Sequence, residues 1–236
     1  MRTLTMWIAA TLLACASSLA LAAPVQMGKK TIEITAPDGY ARVAPEMTEL
    51  LELLDTFTPP TNLSLGLYLS DQDMVAARGG ELPEMTRRFV VQIPKMLVDQ
   101  PVSAAEFERL KASARQDLEK RLVELGPKLD GLMAKASDSL SEKVGAEVEV
   151  GVDGMVPLPV HHETPDSLSM SMMLRYVVGI PGGESSTLIT SGTLNFVRVK
   201  DTVFLLLVYG GEDDLAWTRE QSAAWVAAIT TANATP

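Results

Sequence analysis

The sequence predicts an α+β fold: a single mainly antiparallel β-sheet with helices packed on one face and a helical insert at 103–144. Three observations predict it. Residues 203–209 (VFLLLVY) are apolar at every position and lie between turn residues, which suits a strand buried on both faces. Paired apolar runs joined by tight turns recur along the chain, as antiparallel neighbours require. Stretches with apolar residues three and four apart, each opened by a capping residue, supply the helices.

The elements follow in order. Residues 25–30 read as a short tail, and 31–35 (TIEIT) alternate as a half-buried strand does. Pro37-Asp38-Gly39 is a turn by composition, and 40–43 make a second short strand. Pro45 opens a helix in which Met47, Leu50, Leu51 and Leu54 share a face, with Glu46 near its positive end, and Pro59-Pro60 stops it. Residues 63–69 (LSLGLYL) alternate strictly. Ser70 and Asp73 then cap a short helix that Gly79-Gly80 ends. Residues 86–93 (TRRFVVQI) form the strand expected to pair with 63–69.

Ser103 and Glu106 make a capping box ahead of Phe107, Leu110, Ala114, Leu118, Leu122 and Leu125, a helix of about six turns. Gly126-Pro127 is expected to break it. A second helix turns Leu129, Leu132, Met133, Ala136 and Leu140 inward and stops at Gly145. Residues 146–152 (AEVEVGV) are a strand, 155–166 a proline-rich loop, and 168–180 another strand closed by Pro181-Gly182-Gly183. The hairpin 187–211 turns at Lys200-Asp201, with Leu194 and Phe196 on one face of its first strand and Asn195 and Val197 on the other. Thr218 and Gln221 are read as the cap of a last helix whose inner face is Trp225, Ala228 and Ile229.

The segment VKDTVFLLLVYGG and the helix after it (218–231), with the N-terminal β-hairpin and the mid-chain helical insert, resemble the PsbP/Mog1-like superfamily. The resemblance implies the α+β fold above. It implies no catalytic residue, because that group shares no catalytic motif; its exported bacterial members are mostly uncharacterised envelope proteins.

The 236 residues are 47% hydrophobic, ample for a core, and carry 20 basic against 30 acidic side chains, a formal charge of −10. That balance argues against a nucleic-acid partner, which needs clustered Lys and Arg. Arg2, the apolar run 4–21 and Ala20-Leu21-Ala22 have the layout of an export signal cleaved after Ala22. Residues 1–22 are therefore expected to be a signal peptide and 23–236 a single α+β domain in a periplasm. Two competitors are an uncleaved anchor and a lipoprotein attached through Cys15, where Leu12-Leu13-Ala14-Cys15 is similar to a lipobox. Cys15 is the sole cysteine, so after cleavage no disulfide, thiol nucleophile or Cys-based metal site remains. No later stretch reaches about 18 apolar residues, so no further membrane span is expected.

Chemistry-bearing residues are sparse. His161, His162 and Glu163 hold both histidines of the chain, with Asp166 close by. Adjacent histidines address one ion poorly, and an exposed polar loop is the simpler reading. Asp213 and Asp214 after Glu212, like Asp71 and Asp73, suit a hard cation but also suit a helix start. Neither has calcium-loop spacing. Met170, Met172 and Met173, near Met155, are read as core filler ahead of a Cu(I) site. There is no G-x-S-x-G elbow and no P-loop. No cofactor is expected. The preferred reading is a non-catalytic binding domain engaging an envelope protein. The alternatives are a hydrolase or metal-dependent enzyme using 155–166, and a carrier of a small apolar ligand or lipid in a pocket between the sheet and the helices of 103–144.

Overall fold

The computed structural model describes residues 23–116 and 118–234, and the side chains of these other than 23 and 118–128. The expected export segment, 1–22 with Cys15, lies outside the described residues.

In chain order the strands are β1 (Ala23–Met27), β2 (Lys30–Ile34), β3 (Tyr40–Arg42), β4 (Asn62–Ser70), β5 (Arg88–Pro94), β6 (Glu149–Pro157), β7 (His162–Thr164), β8 (Ser167–Gly179), β9 (Ser185–Val199) and β10 (Thr202–Gly211). The helices are α1 (Thr48–Thr56), α2 (Asp71–Arg78), α3 (Ala104–Gln116), α4 (Leu118–Val144) and α5 (Leu215–Ala232). The main sheet runs β3-β4-β5-β10-β9-β8-β6, with β7 also on β8, and every pairing is antiparallel.

The apolar run 203–209 lies in the interior strand β10, flanked by β5 and β9. Lys200 and Asp201 turn the β9–β10 hairpin with φ of 49° and 58°. Two positive φ values in a two-residue loop give the twist that matches the strands. The β4–β5 pairing is also as expected, with Leu67 opposite Val90 and Tyr68 opposite Phe89.

Helices cover both faces of the sheet, not one, and the reason is in β10 itself. Phe204, Leu206 and Val208 join Trp225, Val226 and Ile229 of α5 on one side. On the other side Val203 meets Phe107 of α3, and Leu207 and Tyr209 lie against a cluster holding Leu50 of α1 and Met74 of α2. A strand apolar on both faces needs two covers.

Four other expectations are corrected. Residues 25–30 are no tail: β1 pairs with β2 around Gly28, whose φ of +60° and closeness to Val98 O (2.4 Å from an ideal Cβ) require glycine. The 155–166 loop is partly strand. β6 runs on to Pro157 because β8 offers it a partner, and β7 adds three residues to the same strand. Gly126-Pro127 does not end a helix, since α4 continues to Val144. A proline forfeits one backbone bond, which a long helix can absorb by bending. Thr218 does not cap α5, which starts three residues earlier with Asp214 at its N-cap.

The free edge of β6 is covered at its start by α4. Val150 N donates to Ser137 Oγ (2.9 Å), and Val148 N, just ahead of the strand, to Ser141 Oγ (2.8 Å), so backbone donors at the start of the border strand are occupied.

Candidate functional site

Strands β8 and β9 alternate polar and apolar residues, and the two sets go to opposite sides. Ser169, Ser171, Thr193 and Asn195 face α5 and are all buried. The register puts Ser169 opposite Asn195 and Ser171 opposite Thr193. Thr193 Oγ1 donates to Thr218 Oγ1 (3.0 Å) and lies 3.0 Å from Ser171 Oγ; Asn195 Nδ2 donates to Ser222 Oγ (3.1 Å) and Leu206 O (3.0 Å). Thr218 and Ser222 thus hold the inner face of α5 to the sheet.

The opposite side of the same strands carries Met170, Met172, Leu194 and Phe196. Here Met172, Leu194 and Phe196 are only half-buried, although their strands are interior ones. They floor a cleft of about 630 Å³. Its other walls include Leu110, Ser113 and Ala114 of α3, Met96 and Leu97 of the 3-10 turn after β5, Val203 and Met155. Met96 at the mouth is 79% exposed.

The roof, α3, is fastened along one side. At its start, Val102 N donates to Asp201 O (2.9 Å), Arg198 Nε donates to Val102 O (2.7 Å), and the expected Ser103–Glu106 capping box is present. Phe107 is fully buried against Val203. Further along, Lys111 Nζ lies 2.8 Å from Glu108 and 3.0 Å from Glu163, and donates to Thr164 O (2.7 Å). Arg115 pairs with the same Glu163 carboxylate. Burial pushes the Lys111 pKa down, but the hydrogen bonds to Glu108 and Glu163 outweigh it and raise the value. Glu163 is held below the usual carboxylate range by Lys111 and then Arg115.

The residues singled out from sequence are dispersed. Glu163 is spent on α3, and His162, on β7, is exposed. His161 sits beside the sealed polar face, its Nδ1 3.4 Å from Ser171 Oγ, and burial, with Arg219 and His162 adding to it, lowers its pKa. Asp166 pairs with Arg198 (2.8 Å). Asp214 folds back to accept from Gly211 N (2.9 Å) and pairs with Arg87 (2.5 Å), while Asp213 is exposed. Asp73 completes the Ser70 cap. Among the described residues no three His, Cys, Asp or Glu side chains gather where one ion could be held. Met170 and Met172 share a face as expected, and that face is the floor of the cleft.

Sequence reasoning missed Lys95, Met96 and Leu110 as cleft residues. It named a pocket between the sheet and the helices but not its floor. The available signal was the opposition in SMSM (169–172) and TLNF (193–196), serine, threonine and asparagine on one side, methionine, leucine and phenylalanine on the other. A second hollow, about 580 Å³, lies among Glu46, Glu49, Arg78, Glu81 and Lys143 at helix ends, and its walls are of mixed charge.

No helix among the described residues is long and apolar enough to cross a membrane. No family model matches the chain, and no curated protein matches it. Solved structures similar to it include two of known name. One is the cyanobacterial PsbP protein CyanoP from Synechocystis sp. PCC 6803: 10% identity, 91% of this chain and 94% of that one covered, TM-score 0.34. The other is the Ran-binding protein Mog1p of Saccharomyces cerevisiae: 12% identity, 85% and 83% covered, TM-score 0.26. Both names are those of the PsbP/Mog1-like superfamily named above for residues 199–211 and the helix after them.

Proposed function

We propose that this protein is a non-catalytic binding domain that takes up a small apolar molecule in the cleft between α3 and the sheet. One observation carries the reading: Met172, Leu194 and Phe196, at the middle of the sheet, keep apolar surface open to a hollow of about 630 Å³. Ligand pockets of ~300–1,000 Å³ with mostly apolar linings are the usual size for small molecules. Leaving such surface uncovered forgoes about 25 cal/mol per Å², and a guest that covers it recovers that energy. Methionine suits the floor because its unbranched thioether side chain repacks around guests of different shape.

The lining passes from Pro94 on β5 through Val203, Phe196 and Met172 to Met155 on β6, four strand spacings or about 19 Å. That length favours an elongated guest. Export through residues 1–22 and a periplasmic place for 23–236 belong to the same proposal and rest on the sequence. A metal-dependent or hydrolytic site on 155–166 has no comparable support, since Glu163 and Asp166 are engaged by Lys111, Arg115 and Arg198.

The test is a titration of the protein with the apolar fluorophore N-phenyl-1-naphthylamine. Saturable binding is expected, weakened about tenfold or more, ~1.4 kcal/mol, by Leu194→Asp in a variant that still unfolds cooperatively. No saturable binding by the parent protein would overturn the reading.

A further inference from the structure

The cleft has two unlike ends. Toward β6 its described lining is apolar, with Met155 and Met172. Toward β4 and β5 it is lined by Thr61, Asn62 and Lys95, and among the described residues Lys95 is the one charged side chain of the lining. These three polar residues are neighbours by construction: Lys95 N donates to Thr61 O (2.8 Å), and Asn62 stands opposite Pro94 in the β4–β5 ladder. Asn62 Nδ2 in turn donates to Gln92 Oε1 (2.9 Å), fixing the amide at that end.

Lys95 also differs from Lys111 of the roof helix. Lys111 is saturated by Glu108, Glu163 and Thr164 O. Lys95 has no carboxylate partner among the described residues, in a chain where acids outnumber bases by 30 to 20. An uncommitted ammonium at one end of an apolar channel is complementary to an amphiphile with one negative end.

We propose that the guest is a single-chain amphiphile with an anionic head, its chain lying across the strands toward Met155 and its head at Lys95. This rests on the apolar-ligand reading above. A carboxylate and a phosphate monoester share the required chemistry. The head forms charge-assisted hydrogen bonds with the Lys95 ammonium at the solvent-exposed mouth, so it needs no costly burial of charge.

The experiment displaces the fluorophore from the full protein with palmitate, hexadecyl phosphate and hexadecanol, each also against Lys95→Gln and Lys95→Arg. The expected result is that at least one anion binds about tenfold more tightly than hexadecanol. Lys95→Gln removes that preference without weakening hexadecanol, and Lys95→Arg retains it; the tighter anion names the head. Equal binding of all three, or a preference that survives Lys95→Gln, overturns the proposal about the head and leaves the apolar reading standing. Failure of all three, hexadecanol included, to displace the fluorophore defeats both.

Discussion

The two faces of β8 and β9 invert what residue type alone suggests. The face of serine, threonine and asparagine is sealed under α5, and the face of methionine, leucine and phenylalanine is left half-open beneath α3. The sealed face lies next to the chain's aromatic cluster. Trp225 stands edge-on to Tyr68 (5.7 Å) and Phe89 (5.2 Å) and donates its indole N–H to Thr35 O (2.7 Å). Buried hydroxyls are tolerated because nearly every one has a partner, and partnered polar groups fix one register where an apolar seam would slide. The open face has no comparable bonds to satisfy, so it is free to meet something else. An exposed apolar floor and a buried polar seam each carry more information than the reverse arrangement does.

The strongest way to break this contrast is to cut one phenylalanine from each face. Phe204→Ala, on the sealed side, is expected to cost about 3–5 kcal/mol in urea unfolding. Phe196→Ala, already half-open, is expected to cost about 1 kcal/mol, with the loss appearing instead in fluorophore binding. Equal costs would mean that the cleft face is packed as tightly as the other.

A smaller effect concerns pH at the margin of the sealed face. His161 has its pKa lowered below 6.5 by burial, Arg219 and His162. The unfolded chain therefore takes up that proton more readily than the folded one. Stability is complete above about 6.5 and is lost as pH falls from there through the folded-state value. His161→Gln is expected to flatten that part of a stability–pH curve, and an unaltered slope would remove His161 as its source.

The smallest expected effect is a gain. The Tyr68 hydroxyl is buried with no hydrogen-bond partner among the described residues, and burial pushes its pKa up to about 12. Tyr68→Phe removes a desolvated group while keeping the ring against Trp225. It is expected to raise stability by up to about 1 kcal/mol and to lessen the loss of stability between pH 10 and about 12, where the unfolded chain ionises and the folded one does not. A drop of more than that would show that the hydroxyl is bonded in solution.

Much of this architecture was legible because local signals agreed with tertiary ones. The β9–β10 hairpin, β4, β5, the Ser70 and Ser103 caps and the stop at Gly145 each follow from residues a few positions apart. What failed lacked a local signal of its own. β1 carries a proline and only two inward side chains, Val25 and Met27, and β7 is three mostly polar residues; each exists because the next strand, β2 or β8, folds back alongside it. Thr218-x-x-Gln221 imitates a cap, yet Thr218 is a buried contact to Thr193, 25 residues away in sequence. For the cleft, the alternation placed Leu194 and Phe196 on one face and Met170 and Met172 on another shared one. That this face is left open follows from where α3 is fastened, by Arg198 at one end and by Glu163 taking both Lys111 and Arg115 further along.

Asn233, just past α5, is clasped to β2: its Nδ2 donates to Glu33 O (2.7 Å), and its Oδ1 accepts from Glu33 N (3.0 Å). The two residues are 200 positions apart. A chain closed in this manner acquires its order late, since β1 and β2 stay without their support until the ribosome has delivered α5. Long-range closure of this kind slows folding, so the first strands of the chain gain their last contacts only after its final helix is in place.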